Sequence, residues 1–163
     1  YRAWDDLGGP LADGPNDLEG QVELAGLGYP LAGAAPEGGC ELLGGGDDGK
    51  GAGNLAFQTP LATKHAFQGW ADVFLTTPTD GIKDAYLGAS LPLFGGTAQA
   101  VYHDFRADQS SPRSQYGEEL DLSYAHPIPG VKGLVGLVKY ADYDANDFGV
   151  DTRKFWTQVQ YTY

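Results

Sequence analysis

The sequence lacks methionine altogether and has one cysteine, Cys40. A lone cysteine excludes an intrachain disulfide framework. The chain also lacks a basic start followed by an apolar signal segment. Because it has neither a methionine nor a signal segment, we expect the chain to be a processed product or a piece of a longer protein.

Two further absences concern partners. No run approaches the ~18 consecutive apolar residues of a transmembrane helix, so a membrane role would require a β-barrel or contact with the membrane surface. Basic residues are few, with 10 Lys and Arg against 22 Asp and Glu and a net charge of -12. Nucleic acid is therefore not an expected partner, since a phosphate backbone is bound by clustered Lys and Arg.

Glycine, proline and aromatic residues are abundant. The chain has 25 Gly, 10 Pro, 10 Tyr, 7 Phe and 3 Trp. This composition is typical of many turns and aromatic-rich strands, not of long helices. The 163 residues fit a single domain, 1–163, of roughly the size of a small closed barrel.

The last stretch, Arg153 to Tyr163, has the clearest two-sided pattern. Its apolar and aromatic side is Phe155, Thr157, Val159, Tyr161 and Tyr163, and its mostly polar side is Lys154, Trp156, Gln158, Gln160 and Thr162. Side chains alternate between the faces of a strand. A soluble strand can have this pattern, but a chain that stops on an aromatic residue in such a strand also fits the closing strand of an outer-membrane barrel.

Alternation of this kind predicts an all-β fold, an antiparallel up-and-down meander of about 7–8 strands that is part or whole of an outer-membrane β-barrel. The predicted strands are Leu18 to Tyr29, Glu37 to Leu43, Gly81 to Leu93, Thr97 to Ala107, Gln115 to Ala125, Val131 to Tyr143, and Arg153 to Tyr163. Residues 44–80 form a long external loop without sustained alternation.

The predicted connections alternate between longer and shorter. Outer-membrane barrels have short periplasmic turns and longer external loops, so this asymmetry favours a membrane barrel. A soluble meander such as a lipocalin-type barrel explains the alternation of strands but neither the asymmetry nor the aromatic end.

Several segments resemble a known family. LAFQTPLATKHAFQGWADVFLTTPTDGIKDAYLGAS, starting at Leu55, is followed by AVYHDFRAD, GEELDL and LVKYADYDA. Together they resemble the C-terminal part of the alginate-export family of outer-membrane barrels, over roughly Glu41 to Tyr163. The resemblance implies a pore-forming barrel of Gram-negative outer membranes, larger than this chain, that passes polysaccharide or small solutes. Seven strands are fewer than the family's wide pore needs, and an acidic balance suits an anionic polymer poorly.

We therefore expect an outer-membrane porin-like channel, located in the bacterial outer membrane, and not an enzyme. The alternative is a small closed membrane barrel that anchors or binds a ligand without conducting. The expected partners are outer-membrane lipid and a permeating solute or polysaccharide, with further chain or copies to close the barrel. No cofactor is expected.

Candidate site residues are assigned from the faces of the strands and, for Lys64 and His65, from their place in the long loop near the predicted constriction. The predicted lumen residues are Lys64, His65, Asp84, Tyr86, Asp104, Arg106, Glu119, Asp121, Lys139 and Gln158. In the long loop, Phe67, Trp70 and Phe74 are too apolar to lie loose in water and are predicted to constrict the pore, although packing against neighbouring loops remains open. Leu120, Leu122, Tyr124, Val159 and Tyr161 are predicted to face lipid, opposite Glu119, Asp121, Gln158 and Gln160.

Three weaker motifs suggest other chemistry. Gly44 to Lys50 begins like a P-loop, but Gly51 stands where Ser or Thr is required. Asp142, Asp144 and Asn146 have the spacing that opens a calcium loop, and they form a weak calcium candidate. His103 and Asp104 should point to opposite faces of a strand, so an enzyme would need His65 or His126 to meet a carboxylate such as Asp121 in space.

Overall fold

A computed structural model describes residues 22–28, 33–46, 56–59, 65, 67–109 and 114–163. Its strands are β1 Val22–Gly28, β2 Ala35–Leu43, β3 Ile82–Leu93, β4 Gly96–Arg106, β5 Gln115–Pro127, β6 Leu134–Ala145 and β7 Thr152–Tyr161. They form one sheet in chain order, and every neighbouring pair is antiparallel. The predicted all-β up-and-down meander is confirmed.

The turn between β5 and β6 is longer than its sequence predicts. β6 begins at Leu134, not Val131, because Gly130 and Gly133 take positive φ angles of 86° and 83° and turn the chain. Connection 128–133 therefore equals 146–151 in length, and the predicted asymmetry fails for this pair. It holds between the two-residue turn 94–95 and the connections 44–81 and 107–114.

The register gives the sheet two unlike faces. Leu87, Tyr102 and Leu120 lie on neighbouring strands of one face, which we call the outer face. Its exposed large apolar residues include Leu87, Leu91, Tyr102, Leu120, Leu122, Val138, Phe155, Val159 and Tyr161. Glu119, Asp121, Gln158 and Gln160 lie on the opposite, inner face, as the alternation predicts.

Residues 67–79, which we call the covering loop, pack onto the inner face. Phe74 is 5 % exposed. Its ring centroid lies 4.6 Å from that of Phe105 and 5.3 Å from that of Phe148. The aromatic rings of Tyr116 and Tyr143 complete its surroundings. The buried core thus lies between loop and sheet, on the side towards the longer connections.

Within the described residues, β1 pairs with β2 alone and β7 pairs with β6 alone, so this sheet is open. The same residues contain no helix with the length and apolar character needed to cross a membrane.

Candidate functional site

Two buried carboxylates of β5 fasten the covering loop to the sheet. Ala71 N–H donates to Glu119 Oε1 at 2.6 Å, and Trp70 N–H donates to Asp121 Oδ2 at 3.0 Å. The side chains meet the loop together because residues two apart share a face of a strand. Gly69 lies directly against the Glu119 carboxylate with φ +79°, and a Cβ there would collide with it. Glu119 and Asp121 are therefore loop anchors, not open lumen groups.

His103 joins this group from the neighbouring strand. Its Nδ1 lies 2.9 Å from Asp84 Oδ1, and its Nε2 lies 3.7 Å from Asp121 Oδ2. The ring stacks on Phe105, with 5.4 Å between centroids and an interplanar angle of 9°. Asp104 lies on the other face, as the alternation predicts, so the histidine partners come from β3 and β5.

A second polar group holds the loop to β6 and β7. Asp72 accepts from His65 Nδ1 at 2.8 Å and from Lys154 Nζ at 2.9 Å. Lys139 Nζ lies 3.0 Å from His65 Nε2 and 3.8 Å from the ring centroid of Trp70. Burial by itself would raise the pKa of Asp72, but the hydrogen bonds from His65 and Lys154 outweigh it and lower the pKa below its usual value.

A cavity of about 400 Å³ adjoins this second group. It is lined by His65, Asp72, Leu137, Lys139, Trp156 and Gln158. His65 and Lys139 therefore line the cavity directly, and Lys154 lies beside it through its contact with Asp72. This arrangement can present positive charge and an indole surface to a solute.

Most of the predicted lumen residues share the inner face. Asp84, Tyr86, Glu119, Asp121, Lys139 and Gln158 lie there, and His65 approaches from the loop. Lys64 lies outside the described residues. Glu41 was missed, although it lies beneath the loop and accepts from Gln68 Nε2 at 2.6 Å. The alternation of β2 is weak in the sequence, so only its pairing with β3 reveals the position of Glu41.

Asp104 and Arg106 require a correction, because they lie on the outer face. Arg106 Nη2 donates to Asp104 Oδ2 at 2.7 Å. Their strand turns Val101, His103 and Phe105 inward, so the alternate residues Asp104 and Arg106 point outward. The prediction from their polarity was wrong, because the inner side of β4 packs on an apolar partner supplied by the covering loop.

The three predicted constriction residues take different places. Phe74 is buried in the core, Trp70 lies against Lys139, and Phe67 is 44 % exposed. The covering loop is thus held in place by packing on the sheet. Phe74 and Trp70 take part in this packing, whereas Phe67 stays largely exposed.

The calcium candidate is wrong in its geometry. Asp142 and Asp144 belong to extended β6, and Asp142 is already hydrogen bonded by Arg153 Nε and by the Tyr140 hydroxyl, each at 2.9 Å. A calcium loop needs its ligands on a tight turn, not on a strand. Elsewhere in the described part of the chain, no group of three or more His, Cys, Asp or Glu is placed to hold a metal ion. Residues 47–50 of the P-loop-like stretch lie outside the described residues.

Comparisons of the chain with protein-family models, with curated protein sequences and with solved structures give no significant match. The class of the protein is therefore defined by its geometry, an antiparallel β-meander with an exposed apolar face and a loop-covered face that carries both a buried core and buried carboxylates. The resemblance to alginate-export barrels remains an expectation drawn from the sequence.

Proposed function

We propose that this chain is part of an outer-membrane β-barrel that acts as a passive channel for a polysaccharide or small solutes. The observation that carries the proposal is the polarity of the sheet: apolar side chains are exposed on its outer face, whereas charged groups lie on the covered inner face. A soluble sheet buries its apolar face, and a membrane barrel turns that face to lipid.

The ends of the outer face support a membrane orientation. Towards the longer connections its residues become charged, with Asp104, Arg106, Glu118, Asp142 and Arg153. Towards the short turns, Phe94, Tyr124, Tyr161 and Tyr163 cluster at the strand ends. An apolar band between a polar edge and an aromatic edge matches the interfaces of a bilayer.

The covering loop would lie inside the barrel. It packs on the inner face of the sheet, where a lumen would lie, and Lys139 and Lys154 lie at its border. A loop held there narrows the pore, and fixed charge beside the narrow part sets ion preference through the local field. The unpaired edges of β1 and β7 in the described sheet would be closed by further chain or by further copies, because open edges are costly in lipid.

The experiment is planar-bilayer recording of the full-length protein. The expected result is defined single-channel steps, with Lys139→Glu shifting the reversal potential towards cations. Lys132→Glu, an identical charge change in the exposed turn 128–133, is the matched control and should leave selectivity unchanged. An equal shift from both variants would assign the effect to overall charge, and a protein that never conducts would overturn the channel.

A second candidate is a closed barrel that anchors or binds without conducting. It is favoured by the packed core beneath the covering loop, where Phe74, Phe105, Tyr116 and Tyr143 fill space that a pore would need. Deleting residues 53–77 separates the two functions. A channel should then conduct more, whereas an anchor should stay closed and keep its heat-resistant form in detergent.

A further inference from the structure

Glu119 and Asp121 each have one oxygen that accepts from the covering loop. Their other oxygens, Glu119 Oε2 and Asp121 Oδ1, are buried and have no hydrogen-bond partner among the residues that the structure describes. The two residues are only 1 % and 0 % exposed. A buried carboxylate oxygen without a donor is costly, so such an oxygen points to a missing positive partner.

The two carboxyl groups lie side by side, because they accept from the amides of the consecutive residues Trp70 and Ala71. Two ionised carboxylates at this separation repel each other, and burial leaves little water to screen them. One proton between Glu119 and Asp121 removes one of the two charges and supplies the missing donor. Buried carboxyl pairs that share a proton are an established arrangement in proteins.

The surrounding charges do not replace that proton. Glu41 from β2 and Asp84 from β3 add negative charge beneath the loop. Within the described part of the chain, the cations that face the pair are Lys139 of β6 and, when protonated, His103 of β4. His103 is held by Asp84 at 2.9 Å, and Lys139 contacts Trp70 and His65. The carboxylates therefore outnumber the cations.

The same two carboxyls bind the covering loop through Trp70 and Ala71. We propose that Glu119 and Asp121 share a single proton and form a latch, which holds residues 69–72 on the sheet while the proton is present and releases them when it is lost. Release lets water reach both carboxylates, which relieves their repulsion. Its consequence for permeation rests on the proposed function, whereas the latch itself does not.

Hydrogen exchange of the full-length protein in detergent tests the latch, with rates corrected for the intrinsic effect of pH. Between about pH 6 and about pH 9, above the range of ordinary carboxyls, protection of the Trp70 and Ala71 amides should fall at least about tenfold. Glu119→Gln should keep its protection, because the amide oxygen can accept from Ala71 while the NH₂ group donates to Asp121. Asp121→Asn should behave likewise.

Glu118→Gln is the matched control, since it removes the same charge from the adjacent, outward-facing residue. It should retain the wild-type response. Protection in the wild type that is constant with pH would overturn the latch, as would an unchanged response in a folded Glu119→Gln or Asp121→Asn variant. Bilayer recording separates the two proposals. If exchange depends on pH but the protein does not conduct, the latch stands and the channel is overturned. If the protein conducts but exchange does not depend on pH, the channel stands and the latch is overturned.

Discussion

At the scale of single residues, Gly69 occupies a place in the covering loop where the sheet leaves no room for a side chain. Its positive φ and its position against the Glu119 carboxylate both exclude a side chain. Gly69→Ala should cost about 1 to 2 kcal/mol for the left-handed backbone, and the loss of loop contacts adds to this. The measurement is exchange protection of residues 67–79 together with the free energy of unfolding.

Gly130→Ala is the control for this prediction. Gly130 has a similar φ of +86°, but a Cβ there would meet no atom within 4 Å. The Gly130→Ala variant should lose only the free energy of placing a side chain on a left-handed backbone, and its covering loop should stay protected from hydrogen exchange. Equal loop protection in both variants would show that the contact with Glu119 is unimportant.

Asp72 makes the loop sensitive to acid. Its pKa is lowered in the folded protein, so its stabilisation is fully present above the unfolded pKa of ~3.9 and is lost as pH falls through the lower, folded pKa. Loop protection should therefore decrease below about pH 4. Asp72→Asn should reduce protection at neutral pH, since the ion pair with Lys154 is lost and the hydrogen bond from His65 is weakened, and should flatten the acid decrease.

Asp144→Asn serves as the control for Asp72, because Asp144 is an exposed carboxylate at the end of β6. The Asp144→Asn variant should retain the acid decrease. Exchange or limited proteolysis between about pH 3 and about pH 6 measures both, over the range in which carboxyls titrate. This acid-side loss is distinct from the alkaline release expected of Glu119 and Asp121.

At the scale of elements, the covering loop depends on one aromatic side chain. Phe74 contacts rings from β4, β5, β6 and connection 146–151. Phe74→Ala should cost about 3 to 5 kcal/mol through lost burial and the resulting cavity. Phe67→Ala removes an equal side chain that is 44 % exposed and should cost well under half as much. Denaturant unfolding in detergent measures the free energy of unfolding of both variants, and hydrogen exchange measures the protection of the covering loop. Equal costs for the two variants would contradict the described packing of Phe74.

At the scale of the whole molecule, the outer face decides whether the sheet belongs in lipid. Leu122 lies near the middle of β5 on that face. Leu122→Arg should cost about 2 to 4 kcal/mol if it meets the bilayer midplane. Val150→Arg, in the exposed connection 146–151, should cost close to nothing. Unfolding titrations in vesicles give both values, and similar values for the two variants would argue against a membrane-facing sheet.

Much of the sheet follows from the sequence because strand alternation is local. The boundaries of β3, β4 and β5 agree with prediction within two residues, and the division of β5 and β7 into faces is correct. Each strand needs only its own period-two pattern and its flanking turn residues to be recognised. The turn after β5 was misplaced because two glycines extended it.

The candidate site depended on contacts that local patterns do not contain. His103 meets Asp84 only through the pairing of β3 with β4, and the loop docks only because Glu119 and Asp121 present acceptors to Trp70 and Ala71. Asp104 and Arg106 face outward because β4 turns Phe105 inward, where it packs on Phe74 of the covering loop. The sequence by itself determined the strands and their alternating faces, since these arise between neighbours in the chain. Only the tertiary structure decided which face was covered and which charges met, because those depend on residues brought together from distant parts of the chain.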